Sequence, residues 1–405
     1  MKKKITQLID HYIQTIATNT TIEIESADAS DNNLFSPAQN ERIVEDTVSG
    51  LRHIGENNKM NATVLEKIQN RIIKKGPSLL TALHQRNHIY FRDNPDDLEL
   101  LEVIVRTDGS RPAFLIRNGI PDLESSSPAA IVSKWSSIIN TSKERLKTPI
   151  DCVGRIDLDG KHIGTGFLIA KKLIATNLHV LQRIASQKKN ASWNMNPNCT
   201  INFGEEFRAI ENLNTRSLTK VIFTGAEPIV PDTIDHNKLD LAIIELNDVE
   251  DDYIPKSILA FDADPMWAQE GNSIYTIGYP ANPGTDGLVN YGSDVLQLLF
   301  DSMYGYKRIA PGDIITSSGK QYVGRLVHDA STLGGNSGSL VVAVGREFAA
   351  AGIHYGGRSS IPRENWAHIL GSQLDKPNGL SGLSLKSYLE DNGVKFVDRK
   401  SSIEL

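Results

Sequence analysis

Residues 328–357 read HDASTLGGNSGSLVVAVGREFAAAGIHYGG. Within this stretch Ser337 sits in Thr-Leu-Gly-Gly-Asn-Ser-Gly-Ser, residues 332–339, directly before the apolar run 340–344. A serine hydroxyl that attacks an amide needs a base for its proton and donors for the oxyanion. Glycines at 334, 335 and 338 let a loop turn N–H groups inward where side chains would clash, and the N–H groups of Gly335 and Ser337 are the expected pair. The rival reading of the string on its own is a plain Gly/Ser turn between strands. It is not the G-x-S-x-G elbow, because position 339 is serine and a β-run follows instead of a helix.

Two further motifs lie upstream. His179 stands in ATNLHV, just past the apolar run 173–177 and before the helical turn VLQRI. A histidine at a sheet edge, with both ring nitrogens engaged, meets the needs of a general base. Asp240 is expected to open the strand LDLAIIEL, where a carboxylate between two leucines is costly to bury without a partner. An imidazole N–H would be that partner, and Asp235 is a weaker competitor. The order His, Asp, Ser is that of chymotrypsin, not of subtilisins or α/β-hydrolases. It places His179 and Asp240 in a first barrel and Ser337 in a second.

The chain around these motifs has 405 residues, 40% apolar and 23% charged, enough for two or three domains with real cores. A net charge of −6 offers no global attraction to nucleic acid or anionic membrane. Two cysteines, Cys152 and Cys199, are too few for a disulfide scaffold. The opening MKKKITQLIDHYIQTI has polar breaks where a signal peptide would be apolar, and its Ile5, Leu8, Ile9, Tyr12, Ile13 and Ile16 fall at helical spacing. A cytoplasmic protein follows, with no membrane span. No H-E-x-x-H, cysteine pair or carboxylate array suggests a metal or cofactor.

From about Cys152 short β-runs alternate with turns, including a hairpin around Asp159-Gly160. Before that, helical periodicity recurs at 41–54, at 62–75 with a stop at Gly76-Pro77, and at 128–140; LELLEVIV (98–105) and PAFLIRNGIPD (112–122) read as short strands, and 25–39 as a loop. A helical insertion is expected at 293–306 and a short helix near the end. The expected architecture is a mainly helical domain over 1–148, an all-β double barrel over 149–395, and a tail over 396–405. The helical domain suits a regulatory protein partner or a propeptide removed by a cut near 148.

HDASTLGGNSGSLVVAVGREFAAAGIHYGG, with GTGFLI (164–169), ATNLHV and LDLAIIEL, resembles the glutamyl endopeptidases of the trypsin-like superfamily over residues 150–390. The resemblance implies a chymotrypsin-like serine peptidase acting on protein or peptide substrates, with Ser337 as nucleophile, His179 as base and Asp240 as its orienting carboxylate. It places Ser331 where trypsin-type enzymes carry a specificity carboxylate. Thr332 and His354 fall where the group receives a substrate carboxylate, which implies cleavage after Glu or Asp. Tyr355, Gly356 and Gly357 are then the edge on which a substrate backbone adds as a strand. Asn336 replaces the aspartate by which trypsin holds its new N-terminus. Glutamyl endopeptidases also add a free N-terminal amine to the pocket; here that requires a cut near 149–151, or Arg358 as substitute. His328 and Asp329 are read as structural, and His162 and His236 as loop residues.

Overall fold

The computed structural model describes residues 9–10, 12–13, 36–58, 62–94, 97, 100–101, 104, 111–123, 134–188, 192–208, 214–230, 234–248, 258–283, 296, 299–300, 303–317, 323–358 and 364–397. After the helical residues 9–10 and 12–13, the N-terminal part contains helices α1 (Pro37–Asn58), α2 (Ala62–His84) and α3 (His88–Asp93). Ser36 and Pro37 start α1 in the residue types an N-cap and first turn favour, with Ser36 Oγ accepting from the Gln39 N–H at 3.2 Å. This ends the expected loop three residues early. Ile9, Tyr12, Val44, Val48, Leu51, Ile72 and Leu79 share a core separate from the barrels.

Two expectations fail in this region. Helix α2 does not stop at Gly76-Pro77 but runs on to His84. Leu79, Leu80 and Leu83 continue its apolar stripe and are fully buried, and a Cβ at Gly76 would stand 2.5 Å from Val44, so the glycine serves close helix packing instead of a cap. The stretch LELLEVIV is helical at its described positions, where Leu100, Leu101 and Ile104 are buried at helical spacing.

The strand pair β1 (Phe114–Arg117) and β2 (Ile120–Asp122) turns at Asn118 and Gly119, both at positive φ, as the asparagine-glycine pair favours. Helix α4 (Lys134–Asp151) follows and carries the chain through Pro149 without a break. It ends later than the expected helix, because Leu146 and Ile150 join Trp135 and Ile139 in the main core.

Six antiparallel strands then close a barrel: β3 (Val153–Leu158), β4 (Lys161–Ala170), β5 (Leu173–Thr176), β8 (Cys199–Asn202), β9 (Thr215–Thr224) and β10 (Ala242–Leu246). Helix α5 (Leu178–Ile184) and a small hairpin, β6 (Ala185–Gln187) with β7 (Trp193–Met195), interrupt it after β5. Asp159 and Gly160 take φ of +50° and +74°, the left-handed pair that a two-residue hairpin turn needs.

After a two-residue strand β11 (Phe261–Asp262), the second barrel uses β12 (Ser273–Gly278), β13 (Arg308–Ser317), β14 (Arg325–His328), β15 (Leu340–Ala343), β16 (Gly352–Arg358) and β17 (Glu364–Ile369). The order β12-β15-β16-β17-β14-β13 closes through a β12–β13 pairing, so the chymotrypsin-like double barrel is as expected. Helix α6 (Leu385–Asp391) and strand β18 (Phe396–Val397) finish the described chain. Leu296, Leu299 and Phe300, inside the expected insertion, are helical and buried.

Two strand pairings cross the expected domain limits. Strand β1 pairs with β13, Phe114 opposite Ile309, so the pair β1–β2 extends the sheet of the second barrel and a line at 148 cuts through shared structure. At the other end β18 pairs with β11 and Phe396 packs against Phe261, so the ordered fold passes residue 395. No disulfide joins Cys152 and Cys199, both buried. No described helix is long and apolar enough to cross a membrane.

Candidate active site

His179 is carried by the step from β5 into α5. Asn177 occupies the N-cap position in an extended conformation, and its Nδ2 donates to the Asp240 carbonyl at 2.8 Å instead of its side chain capping the helix. That bond draws the loop before β10 against the start of α5. The Asp240 carboxylate then accepts twice from one residue: the His179 backbone N–H at 2.9 Å on Oδ1 and Nδ1 at 2.6 Å on Oδ2. The carboxylate is nearly closed off from water, while a quarter of the imidazole is exposed, leaving Nε2 as the nitrogen toward the cleft. Asp240 does not open the strand as expected; the ladder starts at Ala242, because the Asp240 N–H donates to His368 Nε2 at 3.1 Å. Asp235 is exposed, accepts from the Asn237 N–H in a turn, and does not reach His179.

His368 is fully enclosed, and burial lowers its pKa to about 4. It is therefore neutral, and accepting at Nε2 places its proton on Nδ1. Tyr355 stacks on it with ring centroids 4.3 Å apart, and the Tyr355 hydroxyl meets His236 Nδ1 at 2.9 Å. His236 thus packs between the barrels against Tyr355 and Trp366, a role its sequence neighbourhood did not suggest.

Ser337 arrives from the second barrel. Leu333 and Asn336 are joined by an Asn336 N–H to Leu333 carbonyl bond of 3.1 Å, with Gly335 at φ +86° in the third position. Left-handed geometry there defines a type II turn, which flips the peptide between residues 334 and 335 relative to a type I turn. The loop docks on β4 of the first barrel: Thr165 N–H donates to the Ser337 carbonyl at 2.8 Å and Thr165 Oγ1 to the Gly335 carbonyl at 2.8 Å. A Cβ on Gly164 would meet Val180, the neighbour of His179, at 2.8 Å and the Ser337 carbonyl at 3.2 Å. The nucleophile loop and the histidine helix therefore flank the same glycine. Among the described residues no hydrogen bond joins Ser337 Oγ to His179 Nε2. The N–H groups of Gly335 and Ser337 have no acceptor there either. Asn336 is buried, its Oδ1 accepting from Ser339 Oγ at 3.1 Å.

His354 and His328 form a buried pair, His328 Nε2 lying 3.3 Å from His354 Nδ1. Burial pushes the His354 pKa well below the usual range, and that of His328 to about 4. His328 is thus a partner of the candidate pocket histidine, not merely a turn residue. Thr332 Oγ1 is engaged, donating to Asn365 Oδ1 at 2.7 Å. Beyond His354, β16 keeps β17 on one side only: β15 reaches no further than Ile353, and the described residues 355–357 have an open edge. His162 is no loop residue but part of β4, close enough that a Cβ on Gly335 would stand 2.6 Å from its ring; burial lowers its pKa to about 4. The side chain of Arg358 lies outside the described residues.

Helix α4 continues to Asp151, and the Cys152 N–H bonds to the Thr148 carbonyl at 3.1 Å. The stretch where a cut would free an amine is therefore helical and joined to a buried residue.

Residues 164–350 match the model of the trypsin-like peptidase domain. A probable serine protease of Lysobacter enzymogenes is 28% identical over 277 residues, covering 64% of this chain and 70% of the relative. Among solved structures, an inactive mutant of Rv3671c from M. tuberculosis H37Rv covers 68% of this chain and 97% of its own at 18% identity, with a TM-score of 0.35. Human heparin binding protein covers 55% and 87% at 14% identity, with a TM-score of 0.38. The segment that matches the trypsin-like peptidase domain runs from β4 to just short of β16 and so lies across both closed barrels.

Proposed function

We propose that the protein is a serine endopeptidase acting by acyl transfer. The observation that carries this is the double grip of Asp240 on His179 beside a glycine loop turned to present N–H groups. With Nδ1–H held by the carboxylate, Nε2 carries the lone pair that takes the Ser337 proton as the hydroxyl attacks. Negative charge develops on the substrate oxygen, where the Gly335 and Ser337 N–H groups receive it. The imidazolium is stabilised by Asp240 and returns its proton to the leaving amine. Water, activated by the same histidine, then hydrolyses the acyl-enzyme. Fluorophosphonate labelling of the full-length protein tests this: covalent label on Ser337 is expected, and its absence together with no peptide cleavage would sink the reading.

We also read a preference for Glu or Asp at the cleaved position. If His328 Nε2–H donates to His354 Nδ1, His354 carries its proton on Nε2, free to meet a carboxylate. The buried, unpartnered His328 Nδ1 is then a bare acceptor, which is less costly than a buried N–H without an acceptor. The open edge at residues 355–357 would take the substrate as an added strand, which favours unfolded or loop segments. Cleavage of a peptide library tests both, and cuts after basic residues would end the acidic preference alone.

The missing Ser337–His179 bond favours a second reading, a peptidase at rest whose last catalytic hydrogen bond closes on engagement. On this reading a protein partner of the helical region releases it. Labelling that is slow until a peptide or partner is added would mark this state. A reducing, cytoplasmic setting suits two buried cysteines without a disulfide, and cell fractionation tests it.

A further inference from the structure

We propose that Arg111, far upstream of the barrels, is a positioning residue for the primary substrate pocket; this rests on the peptidase reading above. Its guanidinium is almost wholly buried, with a side-chain exposure of 2%, and lies 2.8 Å from Asp313 Oδ2 and 2.6 Å from Asp329 Oδ2. Asp313 belongs to β13 and Asp329 follows β14, its antiparallel neighbour. The two residues also touch directly, the Asp313 N–H donating to Asp329 Oδ1 at 2.7 Å. Two carboxylates so close repel each other, and a planar guanidinium between them turns that repulsion into a clamp.

The clamp sits at the root of the pocket. From Asp329 the chain passes through Ser331 and Thr332 into the turn at Gly335. Ser331 Oγ donates to the Arg111 carbonyl at 2.8 Å, so the upstream arm holds this segment by both its side chain and its backbone. On the opposite side Asn365 of β17 receives Thr332 Oγ1 and donates to the Ala330 carbonyl at 2.8 Å. The pocket wall is wedged between the arm and β17. The arm is fixed in turn by the β1–β13 pairing and by Arg308 donating to the Ala113 carbonyl. A residue upstream of the barrel strands thus holds the pocket wall.

The test uses the full chain and its Arg111→Met, Arg111→Lys and Ser331→Ala variants, with fluorophosphonate labelling and peptide kinetics side by side. Loosening the wall through Arg111, without touching Ser337 or His179, should leave labelling of the two Arg111 variants close to wild type. A pocket displaced by about an ångström lowers kcat/KM of Arg111→Met roughly 10²-fold, carried mainly by KM. Arg111→Lys keeps the charge and recovers part of the loss. Ser331→Ala raises KM about fivefold, the worth of one net hydrogen bond. A folded Arg111→Met with unchanged KM overturns the proposal, and so does a loss confined to kcat that lysine does not recover. If Arg111→Met fails to fold, Ser331→Ala decides: an unchanged KM overturns the proposal. A wild type inert toward both probe and peptides would instead remove the peptidase reading beneath it.

Discussion

Asp240 holds His179 at two points, the backbone N–H at 2.9 Å and Nδ1 at 2.6 Å, so one carboxylate fixes both where the histidine stands and which tautomer it adopts. Replacing Asp240 by Asn preserves shape but sets an amide N–H₂ against one of these donors. The flipped tautomer would aim Nε2–H at Ser337. We expect kcat to fall by about 10⁴ with the fold retained, measured by steady-state cleavage and circular dichroism. Activity within tenfold of wild type would exclude Asp240 from the mechanism.

Ser337→Ala and His179→Ala each remove a member of one working unit. Their losses in kcat should be similar, on the order of 10⁶, and the double variant should lose little more. Additive losses would show that the two residues do not act together.

Two glycines of the loop separate activity from stability. Gly335 holds φ +86°, and an added Cβ would press within 2.8 Å of the Ala281 backbone N. Gly335→Ala should relax the type II turn and cost about 10²–10³ in kcat, the worth of an oxyanion donor. Gly338 holds φ +88°, and a Cβ added there would stand only 2.0 Å from the Thr165 carbonyl oxygen, so Gly338→Ala should push the loop off β4 and cost about 3 kcal/mol or more of stability. Thermal melts of both variants distinguish the two effects; a Gly338→Ala protein as stable as wild type would contradict the docking.

Acid sensitivity follows from the buried histidines. Burial lowers His328 and His368 to about 4 and His354 well below its ordinary value. Between pH 6.5 and 4 the unfolded chain binds protons at these sites and the native state does not. Their contribution is therefore complete above pH 6.5 and lost as pH falls toward 4, a total on the order of several kcal/mol. Melting temperature should fall over that window, and His368→Gln, which keeps an acceptor for the Asp240 N–H, should flatten the fall. A slope unchanged in that variant would show that His368 does not contribute.

His354 and Thr332 give the specificity prediction. His354→Gln should weaken cleavage after Glu by about 10-fold, one charge-assisted hydrogen bond, and leave the fluorophosphonate reaction unchanged. An equal loss for all peptides would remove His354 from the pocket.

How much of this was legible in the chain itself depends on the range over which each feature is decided. The glycine spacing around Ser337, the run into His179 and the Asp159-Gly160 turn are local, since φ at a glycine and alternation along a strand depend on neighbours in sequence. They were enough to place both barrels and to single out three residues. The stop at Gly76-Pro77 misled because a glycine that caps and a glycine that lets two helices meet look alike until Val44 is placed against it. The strand at Ala242 starts two residues late because a histidine 128 residues away takes the Asp240 N–H. The pairing across residue 148 was hidden for the same reason: beside its local partner β2, strand β1 meets β13, nearly two hundred residues downstream. Sequence alone determined which groups are available for chemistry and the type of backbone that carries them. The tertiary structure decided which of them meet, since buried charges and unpaired N–H groups are satisfied across the fold, as Arg111 is by Asp313 and Asp329.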